Sequence, residues 1–324
     1  MKHKKNGTYN KDYKQNDRSY RKIVIILIST IMISLSVSLL CFSKQVDTQG
    51  EENVEEHSNL NEEAEKESIR KKEEDIEISM QKINKISKKV SEIVGDKKES
   101  YGIFYYDINS GLQYTLNSDV GFHAASTIKV PIAMMIADKL DNNEITKDTK
   151  IKYEESDNCD GAGELQGRVS KGDEFPVIDL LKYMIEDSDN IATSMLKKSI
   201  GSVSSYIYNL TEISMIGESN FITPRQSGIL LKKIYEKAEE DNNYRDIINL
   251  MLKTNTHDRL DKKIPKNMVA HKIGDYENYV NDIGVIYSER PYILCIYTKD
   301  VMEEGRENIA DISKVIYDIT LDKL

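Results

Sequence analysis

Tryptophan is absent from the 324 residues, and histidine occurs five times and cysteine three times. The cysteines, Cys41, Cys159 and Cys295, stand far apart with no C-x-x-C, which excludes a disulfide framework and a structural zinc ribbon. The histidines form no H-x-x-x-H pair, so neither a metal nor any other cofactor is expected. A surplus of basic charge is also lacking: the net charge is −10, which excludes tracking a phosphate backbone, and no nucleic-acid partner is expected. The missing tryptophan and the nineteen tyrosines bear little on chemistry; Tyr105 and Tyr106 read as strand and core residues. No internal repeat is present. With 39% hydrophobic and 31% charged residues the chain is no disordered polymer, and its length suits one domain of about 200 to 250 residues plus attachments.

The attachments lie at the N-terminus. Residues 23–42, IVIILISTIMISLSVSLLCF, carry no charge and are long enough to cross a hydrocarbon core of about 30 Å as a helix. A cleaved signal peptide has a shorter apolar run and a small-x-small site, so 23–42 reads as an uncleaved anchor. Cys41 follows Leu39 and Leu40, which is no lipobox, and reads as a buried apolar thiol. Residues 1–22 hold eight Lys/Arg against Asp12 and Asp17. By the positive-inside rule this tail is cytoplasmic and everything after Phe42 faces outward; its abutment to the span explains the charge without nucleic acid.

Residues 43–79 carry thirteen acidic and five basic side chains and no proline, the composition of a charged extracellular linker that buries no core. Toward its end Ile69, Ile76, Ile83 and Val90 recur every seven residues, with Ile86 and Ile93 between turns, which predicts a one-striped helix ending near Val94. Fewer than four clean heptads favour docking onto the following domain over a coiled coil, which leaves the oligomeric state open.

The domain is expected at 80–324. Tyr101–Asp107, an Asn109-Ser110-Gly111 turn and Leu112–Leu116 read as a β-hairpin. Helices are expected over Ile128–Leu140, Val177–Glu186, Ile191–Ser199, Val203–Leu210 and Gln226–Ala238. Strands follow at Met268–Ile273, Tyr279–Tyr287 and Tyr292–Thr298, then a closing helix over Glu303–Leu321. This order implies an α+β (mixed α/β) fold in which one five-stranded sheet is assembled from both ends of the domain, with a helical subdomain inserted.

Three short motifs carry candidate chemistry. Ser-x-x-Lys occurs five times, but only at Ser126, in HAASTIKVPIAMMIA, do small residues lead into a strongly apolar helix. Ser126 and Lys129 share a face at i, i+3, so a partly desolvated Lys129 can act as base toward the serine while the helix N-terminus offers amides to an oxyanion. A plain capped helix is the competing reading, and Pro131 threatens a kink. Ser-Asp-Asn occurs at 156–158, in a loop, and at Ser188-Asp189-Asn190, between two apolar helices, where buried polar groups need either a cap or a function. Lys272-Ile273-Gly274 ends an apolar strand: Lys272 facing a cleft would draw a carboxylate and Gly274 would admit a substrate backbone, although a lysine guarding a sheet edge reads the same way. His257 and His271 have no carboxylate at a telling spacing and read as structural, and Arg259 reads as either a supplementary carboxylate binder or a solvated side chain.

Taken in this order, SxxK on a helix, SDN between helices and KxG on a strand, the chain resembles the penicillin-recognising serine hydrolases, in particular their class A β-lactamase-like branch. The resemblance covers about 83–324 and includes SDNIATSMLKKSIG and Ile222-Thr223-Pro224-Arg225. It implies the β-lactamase/transpeptidase-like fold and, as substrate, a β-lactam or a D-Ala-D-Ala-like peptidoglycan stem peptide. It further implies Ser126 as nucleophile, Lys129 as its base, Ser188 as proton relay, Asn190 as amide contact and Lys272 as carboxylate recognition. The backbone N–H groups of Ser126 and Asp275 would form the oxyanion hole. Two positions depart from the family. Ile273 replaces a hydroxyl that helps bind the substrate carboxylate. No Glu-x-x-x-Asn, the source of the deacylating glutamate, lies between Asn190 and Thr223, where the only glutamates are Glu212 and Glu218.

Overall fold

The structure is a computed structural model describing residues 51–214 and 220–324, with side chains from Glu65 onward. The expected tail at 1–22, the expected anchor at 23–42 and Glu218 lie outside the described residues. Among the described residues, no helix is long and apolar enough to cross a membrane. The chain divides into two compact units, Met1–Ser68, of which only helix is described, and Ile69–Leu324.

Helix α1 runs from Glu51 to Val94. Much of the expected linker is therefore helical. A run of Glu and Lys needs no core to favour helix, because both are good helix formers and pair along its face. The apolar stripe matters only at the end, where Ile86, Val90 and Val94 are buried.

Five strands build the central sheet: β1 (Tyr101–Asp107), β2 (Gln113–Leu116), β7 (Val269–Tyr276), β8 (Tyr279–Ile286) and β9 (Tyr292–Lys299). Their spatial order is β2-β1-β9-β8-β7, all antiparallel, so the two ends of the domain meet at the β1–β9 seam. The period of two along each strand sorts side chains onto two cores. Tyr101, Ile103 and Tyr105 of β1 and Tyr292, Leu294 and Ile296 of β9 pack toward the end of α1 and the closing helix α8 (Met302–Thr320). Phe104, Ile293, Cys295 and Tyr297 point the other way, into the core of the helical part.

That part contains α2 (Lys129–Asp141), α3 (Val177–Glu186), α4 (Asn190–Lys197), α5 (Val203–Thr211), α6 (Pro224–Lys237) and α7 (Asn242–Met251). Two short ribbons brace it, β3 (Phe122–His123) with β6 (Phe221–Ile222), and β4 (Lys150–Lys152) with β5 (Glu174–Pro176). Helix α6 starts on a capping box, Thr223 accepting from Gln226 N–H and Gln226 reaching back, with Pro224 where a missing donor costs nothing. Helix α7 goes beyond the sequence-based expectation. Its signal is nevertheless present: Asp241 caps it, and Tyr244, Ile247, Ile248 and Met251 recur at helical spacing on a buried face.

Candidate active site

Ser126 does not lie on the α-helix itself. It occupies a 3-10 turn, Ala125–Ile128, that leads directly into α2. With three residues per turn, side chains at i and i+3 eclipse one another, which puts Lys129 Nζ 3.0 Å from Ser126 Oγ. Pro131 is the third residue of α2, where an amide has no carbonyl within the helix to lose.

The turn is strained and held. Ala125 has φ of 49°, in the left-handed region that a side chain disfavours. Its N–H donates to His123 Nδ1 at 3.2 Å, and Asn281 Nδ2 of β8 donates to His123 O at 2.9 Å. Thr127 Oγ1 donates to Ala124 O at 2.8 Å and shares a 2.9 Å hydrogen bond with the Tyr297 hydroxyl. Strand β7 presses on the turn from below, and only a glycine permits it: a Cβ on Gly274 would stand 2.7 Å from Ala124 O and 3.1 Å from Ser126 N. Gly274 thus makes room for the serine's own turn.

The Ser188-Asp189-Asn190 corner divides its labour. Asp189, fully buried, caps α4 by accepting Ala192 N–H at 2.8 Å, and it also accepts Leu165 N–H at 2.7 Å. Ser188, at a left-handed φ of 56°, turns toward Lys129. Lys129 Nζ reaches Ser188 Oγ at 3.2 Å, Ser188 O at 2.6 Å and Asn190 Oδ1 at 2.8 Å. Asn190 also fastens the 160–165 loop, donating through Nδ2 to Asp160 O at 2.9 Å. Burial lowers the Lys129 ammonium to about 8, against the opposing charge of Asp189.

Lys272 lies beside this group but fully buried, its ammonium 3.5 Å from Ile273 O. Burial and then the nearby charge of Lys129 lower it to about 7. Asp275 follows at the cleft edge, its carboxylate held by Arg259 Nη2 at 2.5 Å and Arg306 Nη2 at 2.9 Å. Arg259 is buried, with Nη1 donating to Asn281 O at 2.9 Å; the solvated reading of this residue is therefore wrong. The reading of the two histidines changes as well. His257 pairs with Asp261, and His271 Nδ1 lies 2.9 Å from Asp282. Asp282 stands opposite Ile273 across the β7–β8 ladder, a neighbour that linear spacing cannot show.

Above Ser126 and Lys129 opens a cleft of about 820 Å³, lined among others by Asn190, Thr193, Ser194, Lys197, Ser202 and Asp275. Ser188, Lys272 and Gly274 lie outside this lining. The cleft also takes in Cys159, Ser202, Asn220 and Tyr276, none of them in the three motifs, and His123, whose ring stacks on Tyr276 with centroids 4.1 Å apart. Only the spacing of His123 to Ser126 hinted at it.

The model of the beta-lactamase enzyme family matches residues 85–320. The chain belongs to this family. Among curated relatives, Beta-lactamase VEB-1 of Pseudomonas aeruginosa is 25% identical over 269 residues, 72% of this chain and 90% of that protein. Extended-spectrum beta-lactamase PER-1 of the same organism is 24% identical over 272 residues, 74% and 88% of the two chains. Among solved structures, PBP-A superposes with a TM-score of 0.67 at 23% identity, over 74% of this chain and 96% of that one. A PBP-A mutant solved as an acyl-enzyme complex with penicillin G gives the same TM-score and identity, over 74% and 97%. The five-stranded antiparallel sheet and helical part are this fold, and the chain is a class A beta-lactamase-like serine hydrolase.

Within that family the cleft is short of one group. Among the described residues lining it there is no glutamate, and its one carboxylate, Asp275, is bound by two arginines. Glu212 caps α5 in the left-handed conformation and is not part of the lining.

Proposed function

We propose that this protein is a membrane-tethered, outward-facing acyl-transfer hydrolase that forms an acyl-enzyme at Ser126 with β-lactams or D-Ala-D-Ala-like cell-wall peptides and releases it slowly. The observation that carries this reading is Lys129, whose Nζ reaches both serine hydroxyls and Asn190 at the floor of a cleft with no free described carboxylate.

With an ammonium near 8, about a tenth of Lys129 is a free amine at pH 7, enough to take the Ser126 proton. Ser126 Oγ attacks the amide carbonyl, and the amides of Ser126 and Asp275 receive the oxyanion. Collapse breaks the C–N bond, and the proton held by Lys129 passes through Ser188 Oγ to the leaving nitrogen. In a β-lactam that nitrogen stays tethered by its ring; in a peptide it departs. Asn190 orients the substrate amide, and Lys272 places positive potential behind the site of its carboxylate.

Hydrolysis of the resulting ester needs a second base for water. A missing general base costs about 10² to 10⁴-fold, or roughly 3 to 5 kcal/mol of barrier. The tether is supported by the uncharged 20-residue run at 23–42 and the basic tail before it.

Intact-mass spectrometry with benzylpenicillin tests the reading. One equivalent of adduct should form and persist, and Ser126→Ala should form none. Sustained turnover at about 10 per second or more would reveal a deacylating base, with Glu212 and Glu218 the first to substitute. A second reading, a penicillin- or peptidoglycan-binding sensor module without turnover, is favoured by Ile273 in place of a hydroxyl. Noncovalent retention of ligand by wild type and Ser126→Ala alike would select it.

A further inference from the structure

Outside the cleft, the structure gathers three groups that the sequence keeps apart. His257 and Asp261 flank Arg259 in the segment before β7, and His271 precedes Lys272 on β7. One ligand atom from each of His257, Asp261 and His271 lies within 4.8 Å of the others. Asp261 and His271 are fully buried, and His257 is about one-third exposed at 35%.

His257 Nδ1 pairs with Asp261 Oδ2, but two buried polar atoms of the cluster have no hydrogen-bond partner among the described residues. His271 Nδ1 is taken by Asp282, whose two oxygens lie 2.9 and 3.0 Å away. That leaves His271 Nε2 aimed at Asp261 Oδ2 across 3.5 Å without a hydrogen bond, and Asp261 Oδ1 is buried with no partner either. The Asp261 carboxylate faces His271 Nε2 across 3.5 Å, a spacing that either a proton on the ring or a metal ion between the two can satisfy.

We propose that His257, Asp261 and His271 form a site for a zinc-class divalent transition metal, with a water on the exposed His257 side as fourth ligand. Two imidazoles and a carboxylate are a donor set that zinc accepts tetrahedrally at bonds of about 2.0 to 2.2 Å, which places ligand atoms about 3.3 Å apart. The gap between His271 and Asp261 already has this width. His257, packed close on Asp261, has solvent on one side and room to move outward. Asp282 supplies the outer carboxylate that fixes the tautomer of a metal-bound histidine, and it is itself anchored by Leu260 N–H at 3.0 Å. The ion fastens the Arg259 segment to β7 beside Lys272, and so holds both cations of the site in register.

The test uses the full chain, stripped with a chelator and dialysed against cobalt(II) as a spectroscopic substitute for zinc. Expected are one retained equivalent, the visible d–d bands of tetrahedral cobalt, their loss on adding zinc, and a higher melting temperature with metal. His257→Ala should weaken retention by more than the about 10- to 100-fold that loss of an outer-shell partner costs, while His257→Asp, which keeps a ligand, should retain the bands. Ser126→Ala should bind like wild type, so failure of the proposed acylation leaves this result readable. Absence of retained metal in the wild type, or unchanged retention in His257→Ala, overturns the site and leaves a proton in the gap.

Discussion

In the proposed mechanism Lys129 is the residue on which the chemistry turns, and its environment sets the pH behaviour. Burial favours the neutral amine, which is the form that can accept a proton. At saturating penicillin the first-order acylation rate should therefore rise as pH increases through about 8 and level off above it. Stopped-flow acylation rates across pH check this, and a rate that falls through that window would assign the base elsewhere. Lys129→Ala should lower acylation about 10² to 10⁴-fold, and Lys129→Arg should do no better, because a guanidinium does not deprotonate in proteins. At this scale the sequence was partly legible. Ser126, Lys129, Ser188 and Asn190 stood out because each sits where an apolar helix begins or breaks, and the structure brings them together around one ammonium. Asn281 and Tyr297, which hold the serine turn, were not legible, since each reaches it from another strand. Nor was the pairing of His271 with Asp282, a cross-strand contact, or the burial of Lys272 and Arg259.

Among the elements, α6 shows where helix propensity and packing disagree. Gly228 lies within this helix, where alanine would normally add about 1 kcal/mol. A Cβ there would stand 2.2 Å from two ring carbons of Phe104, a buried β1 side chain. Overpacking of this kind costs about 1 to 3 kcal/mol, which outweighs the helix gain, so Gly228→Ala should be net destabilising by up to about 2 kcal/mol. Urea denaturation of the two proteins measures the difference, and a stabilised variant would show that Phe104 can swing away. The five sheet strands and most helices of the domain were readable from apolar runs or periods bounded by turn residues, whereas α7 and the short ribbons β3–β6 and β4–β5 were not. The extent of α1 was not, because its first turns have no apolar stripe and composition alone does not separate a charged helix from a charged coil.

At the level of the whole molecule, the charge asymmetry of the chain makes its own forecast. On the proposed topology, with the basic tail inside and 43–324 outside, protease added to intact cells should remove the domain while a cytoplasmic marker survives. A domain that is spared while an extracellular control is cut would reverse the topology. The sheet order carries a different consequence, one for biosynthesis. Strand β9, the middle strand, is made almost last, so β1 and β2 leave the ribosome long before their partner exists. At about 5 to 20 residues per second the hairpin waits on the order of ten seconds or more with the Tyr101–Asp107 edge unpaired. A nascent chain stalled before β7 has its nucleophile already translated but lacks the strand that presses the serine turn into shape, so an antibiotic present during synthesis meets a reactive site only after the C-terminal strands have closed the sheet.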